Sequence, residues 1–286
     1  MSLTPGGFVE SADGSPIAWF EECAEVGPAA SGPDRPPLIL VHGATADHTA
    51  FRAVGPRLAA RRRVISIDRR GRGASGDGPA YSIEREYEDL AAMAGWLAAE
   101  SGGPVDVVGH SFGGRVGLGS ALLTDRLRRL VVYEGAPAPP GLAFHDAQLL
   151  DRLDRLEARG DLDELMATFM TEVVGLSAAD LAAYRVSPTW PIRAAAAPTA
   201  IRELRAEASP AAGLDALGQV RIPVLQLLGG ASPAVFRAGT EALAARLVDG
   251  RIVELAGQRH AAHHTDPGAF IAAIEAFLDG RATIAP

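Results

Sequence analysis

The sequence predicts an α/β protein, a doubly wound and mostly parallel sheet that carries a helical insertion. Three observations predict it. Short apolar runs alternate with amphipathic helical stretches along most of the chain. One strand-to-helix junction reads "GHSFG" at 109–113. The alternation then stops, and residues 138–205 show helical patterns only.

Taken in order, residues 7–26 read as a strand, a turn at "ADGSP" and a second strand that includes "WFEECAE". "GPAASGPDRPP" is a loop, and "LILVH" (38–42) is a continuous apolar run, as a buried parallel strand requires. "FRAVGPRLAA" is helical. Its charged end is "RRR" at 61–63, where cations offset the helix dipole. "RVISID" (63–68) is a strand followed by the glycine-rich "RRGRGASG". Residues 84–100 form an amphipathic helix with Leu90, Met93, Ala94 and Leu97 on one face. "PVDVVGH" (104–110), a helix near 113–124 and "LRRLVVYEG" (127–135) complete the first half. In the insertion, Leu149, Leu153 and Leu156 make one helical stripe, and Leu162, Leu165, Met166, Phe169 and Val173 another. The sheet resumes with "PVLQLLG" (223–229), a helix at 235–247, "RIVELA" (251–256), a loop with three histidines and a last helix near 267–279. The expected division is a core domain of 1–137 and 206–286 and a helical cap of 138–205.

Composition narrows the chemistry. The 286 residues are 48% hydrophobic, enough for a sizeable core, and the net charge of −8 argues against a nucleic-acid surface. All 27 basic residues are arginine, so Schiff-base lysine chemistry and Ser–Lys dyads are excluded. A single cysteine, Cys23, allows no intrachain disulfide and reads as an inert structural thiol. The N-terminus lacks a basic region followed by an apolar run, and no apolar stretch approaches about 18 residues, so neither a signal peptide nor a membrane span is expected and the expected location is cytoplasmic.

"GHSFG" is a G-x-S-x-G between a strand and a helix, the setting in which that motif carries a nucleophile. Gly109 and Gly113 remove side chains that would collide at a sharp turn, which aims the Ser111 hydroxyl outward at a helix start. An acyl-transfer site also needs oxyanion donors. The backbone N–H of Phe112, after the nucleophile, is one. "VHGAT" (41–45) supplies the other: Gly43 turns the chain tightly beside the substrate and Ala44 offers its N–H. His42 suits hydrogen bonding that holds this loop rather than the role of base.

With "HGAT" (42–45), "DRRGRGASG" (68–76), "GHSFGG" (109–114) and a histidine-bearing loop after the last strand, in this order, the chain resembles the α/β-hydrolase superfamily over nearly its whole length. The resemblance implies an eight-stranded, mostly parallel sheet, a cap after the sixth strand, a Ser–acid–His triad, and no cofactor or metal. His260 in "AGQRHAAHHTDP" best matches the family's base, with Arg259 standing where the family has glycine. His263 and His264 lie just before the final helix. The family's acid usually follows the seventh strand, but "GGASP" there has no carboxylate. A second family placement is the end of the sixth strand, where this chain has Glu134 in "VVYEGAP". Parallel strands deliver their ends to one edge, and glutamate's extra methylene lengthens its reach. Asp68 reads as part of a structural turn, and Asp106 begins its strand at the wrong end.

The expected function is a serine hydrolase of the esterase or lactonase type, acting on a small or medium ester, thioester or lactone through Ser111, His260 and Glu134. Alternatives on the same fold are carbon–carbon bond hydrolysis, cofactor-free haloperoxidase, hydroxynitrile lyase and cyclase chemistry, and, in another class, a non-catalytic small-molecule receptor. Haloalkane dehalogenases and epoxide hydrolases need aspartate where Ser111 stands. The expected partner is a small molecule, with no nucleic acid and no membrane, for a monomer or homodimer. Trp190, between Pro188 and Pro191 in "SPTWPIR", is expected either to break from helix packing and contact substrate or to staple the cap to the core.

Overall fold

The computed structural model describes residues 4–24 and 35–281. Most of the loop expected over 27–37, and the expected end of the second strand at 25–26, lie outside the described residues. The elements run β1 (Gly7–Glu10), β2 (Pro16–Glu21), β3 (Leu38–Val41), α1 (Gly55–Ala59), β4 (Val64–Ile67), α2 (Ile83–Ser101), β5 (Val105–His110), α3 (Phe112–Ser120) and β6 (Leu127–Tyr133). Then come α4 (Leu149–Ala158), α5 (Leu162–Glu172), α6 (Ala178–Arg185), α7 (Trp190–Ala196), α8 (Pro198–Ala206) and α9 (Leu214–Leu217). The chain closes with β7 (Val224–Gly229), α10 (Ala234–Ala244), β8 (Gly250–Leu255), α11 (Ala262–Thr265) and α12 (Pro267–Leu278).

The strands form one eight-stranded sheet in the order β1-β2-β4-β3-β5-β6-β7-β8. β1 and β2 are antiparallel to their neighbours, and all pairings from β4 to β8 are parallel. The sheet is covered on both faces, so its central strands are mostly apolar, with Ser66, Asp106 and Gln226 as buried polar exceptions. In β3, Ile39 and Val41 join the layer under α2, α3 and α9, while Leu38 and Leu40 join the layer under α1 and α12. A strand polar on alternate residues would leave one of these layers unfilled.

The helices between β6 and β7 build an apolar cluster of their own. The leucine stripe of α4, Leu165, Met166, Phe169 and Met170 of α5, and Ala200, Ile201 and Leu204 of α8 meet there. Local signals set the ends of these helices. Asp161 caps α5 by accepting from the Glu164 N–H, and Ser177 caps α6 by accepting from the Asp180 N–H at 3.1 Å.

Several expectations change. β2 stops at Glu21, because Glu22 turns inward and its carboxylate accepts a hydrogen bond from the buried Ser66 hydroxyl at 2.5 Å. Cys23 therefore lies beyond the strand and is exposed, not a core thiol. The three arginines at 61–63 are not dipole counter-charges, since α1 ends earlier. They sit at the entry to β4 as ion-pair partners: Arg61 of Glu275, Arg62 of Asp106 and Asp279, and Arg63 of Glu21 and Glu100. Asp68 and Asp106 are structural, as read. Asp68 accepts from the His48 and Ala74 amides, both at 2.8 Å, and Asp106 holds Arg62 and Arg128.

Trp190 is a larger correction. The break in the helices falls before it, between α6 and α7, and Trp190 itself starts α7 with Pro191 in the first turn, where proline is tolerated. Its ring is buried in the apolar cluster of the helices between β6 and β7, edge-on to Tyr184, and its indole N–H donates to Asp163 at 2.5 Å. Removing a ring packed in this way costs about 3–5 kcal/mol. Trp190→Ala should therefore lower the melting temperature by several degrees without reordering substrates. An unchanged melting curve by calorimetry would contradict the packing role.

Candidate active site

The turn after β5 is tight enough to dictate its sequence. Ser111 has φ 54 and ψ −124, a conformation that a residue with a side chain adopts only when its surroundings enforce it. A Cβ on Gly113 would sit well inside contact distance of the Val41 and His42 carbonyls, and one on Gly109 would collide with the backbone of Gly113 and Gly114. The Ser111 N–H donates to the Tyr133 carbonyl at 2.8 Å, and its own carbonyl accepts from the Gly114 N–H at 2.9 Å. These bonds hold the turn between β6 and the start of α3.

Glu134 follows β6, also at positive φ (48), and its carboxylate is buried. One oxygen, Oε2, lies 2.6 Å from Nδ1 of His260. The other, Oε1, accepts the Gly229 N–H at 2.8 Å. The end of β7 thus lacks a carboxylate of its own and instead supplies a donor to Glu134. The neighbouring Tyr133, to which the sequence reading gave no role, fixes the segment carrying His260. Its hydroxyl donates to the Arg259 carbonyl and accepts the Ala262 N–H at 3.0 Å, so it grips the chain on both sides of His260. His110 adds a third hold, its Nε2 lying 2.9 Å from the His260 carbonyl. The signal for both residues was in plain view: they directly precede Glu134 and Ser111.

His263 and His264 stand beside this assembly without joining it. The His263 ring packs 4.4 Å from His110 and 4.1 Å from His264, centroid to centroid. Burial, reinforced by neighbouring charges, drives His110 and His263 well below the ordinary histidine range. Burial, with Arg52 and Arg193 nearby, lowers His264 to about 4. All three are therefore neutral at pH 7, with only His260 bonded to a carboxylate.

Ser111, Glu134 and His260 all line one cavity of about 710 Å³, together with Ala44 and Phe112. Among the described residues, no hydrogen bond joins the Ser111 hydroxyl to the His260 ring; such pairs often close only around a substrate. Neither the Ala44 N–H nor the Phe112 N–H donates to any acceptor among the described residues. Gly43 does not reach the cavity. A Cβ there would lie 3.0 Å from Ser111 Cβ and 3.2 Å from Nδ1 of His110, so its absent side chain lets the 42–45 loop close onto the nucleophile turn. Trp190 is likewise not part of the wall. Residues between β6 and β7 that do line it include Phe144, Phe169, Met170, Val173 and Tyr184.

A buried ion network backs the site. Arg69 binds both oxygens of Glu86 at 2.8 and 2.9 Å and also meets Glu203 of α8, which pairs with Arg72 as well. The Arg69 guanidinium lies 4.8 Å over the Phe112 ring, and its backbone N–H donates to Nε2 of His42 at 3.1 Å. The "DRRGRG" stretch showed a turn; it did not show that a cap glutamate would complete it.

The profile of the Alpha/beta hydrolase family matches residues 38–274. Over 254 residues the chain is 29% identical to the pimeloyl-[acyl-carrier protein] methyl ester esterase of Neisseria meningitidis serogroup B, covering 85% of this chain and 93% of that one. Similarity to the sn-1-specific diacylglycerol lipase ABHD11 of Danio rerio is 32% over 108 residues, which spans 37% of this chain and only 33% of the relative. Among solved structures, an alpha/beta hydrolase from Sphaerobacter thermophilus superposes with a TM-score of 0.77 at 32% identity, covering 95% of this chain and 98% of that one.

The neutral histidines imply a pH dependence of folding. His264 binds its proton near pH 4 when folded and near 6.5 when unfolded. Between those values the unfolded chain holds more protons, so stability is complete above 6.5 and falls as pH drops toward 4. Each such histidine steepens the fall by up to about 1.4 kcal/mol per pH unit. Urea midpoints measured from about pH 7.5 to 5 should decline, and His264→Gln should flatten the decline. Parallel profiles for the two proteins would refute this account.

Proposed function

Because the chain belongs to the alpha/beta hydrolase family, we propose that it is a serine hydrolase acting on a small or medium ester, thioester or lactone. The observation that carries this reading is the 2.6 Å contact between His260 and Glu134 on the wall of the cavity that also holds Ser111. Ser111 Oγ attacks the substrate carbonyl while His260 Nε2 takes its proton. The Glu134 carboxylate, held by the Gly229 N–H, keeps the imidazole oriented and stabilises it once charged. The N–H groups of Ala44 and Phe112 receive the oxyanion, aided by the start of α3. His260 then protonates the leaving group, and water, activated by the same ring, releases the acid from Ser111. An esterase among the relatives that match most of the chain supports an ester as the substrate.

A fluorophosphonate should label Ser111, and Ser111→Ala should lower kcat on 4-nitrophenyl esters by roughly 10⁴-fold. Peptide mapping that finds the adduct on another serine would reject the assignment.

Glu134→Gln keeps the shape and loses the charge, so kcat should fall by about 10²- to 10⁴-fold. Near-normal turnover in that variant, shown folded by circular dichroism, would remove Glu134 from the mechanism.

A further inference from the structure

Arg193, on α7, faces the cavity and is half-buried. Among the described residues, nothing accepts a hydrogen bond from its guanidinium and no carboxylate lies within ion-pair distance. The other arginines on the wall are differently placed. Arg115 pairs with Glu207 at 2.8 Å, Arg259 is exposed and donates to the Gly175 carbonyl at 3.2 Å, and Arg52 is exposed to solvent. The wall's carboxylates are committed too. Glu134 holds His260, Glu207 holds Arg115, and Asp180 accepts the Ser177 hydroxyl at 2.7 Å.

A cavity-lining guanidinium that no group among the described residues occupies is free to receive an anion. Its planar fork of donors fits a carboxylate. Its neighbours do not supply one: His110, His263 and His264 are held neutral, mainly by burial, with the charge of Arg193 among the lesser causes. Elsewhere on the wall, Phe144, Phe169, Met170 and Val173 offer an apolar surface suited to a methylene chain.

We propose that Arg193 is a carboxylate-binding subsite, so that the preferred substrates are esters whose acyl chain ends in a free carboxylate. The proposal rests on the serine-hydrolase reading for the reaction, and on the cavity wall alone for the anion. Arg193 acts in binding, so its loss acts on KM.

The test compares the 4-nitrophenyl hemiester of suberate with neutral 4-nitrophenyl octanoate. In Arg193→Gln, the preference for the hemiester, as a ratio of kcat/KM values, should fall about 10- to 100-fold through KM, the range of one charge-assisted hydrogen-bonded pair. Arg193→Lys should recover part of it, and Arg52→Gln should shift the ratio far less. An unchanged ratio in Arg193→Gln, or an equal fall in Arg52→Gln, would overturn the proposal. Calorimetric titration with suberate reads the subsite without turnover: binding to the wild type that weakens in Arg193→Gln supports it, and equal binding overturns it. If neither ester is hydrolysed while suberate binding still depends on Arg193, the hydrolase reading fails and the subsite stands. If both esters are hydrolysed with the same ratio in both proteins, the reverse holds.

Discussion

The backbone of Gly113 lies directly against the carbonyls of Val41 and His42, and the arrangement of the site depends on that approach. It presses the first turn of α3 onto the end of β3. The N–H groups of Phe112 and Ala44, which belong to these two segments, are thereby brought to one cavity wall. A side chain at 113 would wedge the segments apart. The approach also helps to enforce the left-handed backbone of Ser111, a departure that costs on the order of 1–3 kcal/mol at a non-glycine residue. Thr45 and Glu134 share the same kind of backbone, and both lie beyond the ends of strands at this edge of the sheet. Three non-glycine residues at positive φ, gathered at one edge, mean that the packing of the sheet sustains strain beside the cavity.

The charges behind this edge link it to α8. Arg69 touches the Phe112 ring, the His42 loop and Glu203 of α8 through a single side chain. Glu86 and Glu203 share it. Against the opposing effect of burial, which is the largest influence, the arginines hold Glu86 below the usual carboxylate range, whereas burial leaves Glu203 above it. Buried ion pairs of this kind add little net stability compared with apolar packing, but removing one partner strands the others. Their consequence here is geometric: the position of α8 relative to the 42–45 loop is set by directional bonds and not by apolar contact alone.

The sheet was legible in the sequence because central strands covered on both faces must be apolar throughout, and "LILV", "VDVV" and "VLQLL" are nearly so. The nucleophile turn was legible because its glycines are sterically required. That Glu134 meets His260 was legible through the family resemblance, which offers the end of the sixth strand as a second placement for a carboxylate where the loop after β7 has none. Trp190 was misread. Two prolines marked a break, but a break does not fix which way the next side chain turns, and the Asp163 carboxylate that draws the indole inward lies 27 positions away. Gly43 was placed in the right loop for the wrong reason. Contacts made across the fold, such as Glu203 with Arg69, leave no periodic trace and could not be read beforehand.

The position of the acid changes how the site is held together. With Glu134 after β6 and Ser111 after β5, the two residues hang from adjacent, paired strands, and the Ser111 N–H donates to the residue just before Glu134. Their separation is therefore fixed by one ladder of backbone bonds. His260 arrives on a loop, and that loop is tied back to the same two strands, to β5 through His110 and to β6 through Tyr133 and Glu134. β7 contributes one N–H to Glu134, so the carboxylate meets two donors and is oriented from both sides. An aspartate at 134 would be a methylene shorter and could not span to both donors from the same backbone. The glutamate, the left-handed turn that carries it and the glycine that follows, whose Cβ would meet the Ser111 carbonyl, form one solution to placing a carboxylate on the strand next to the nucleophile.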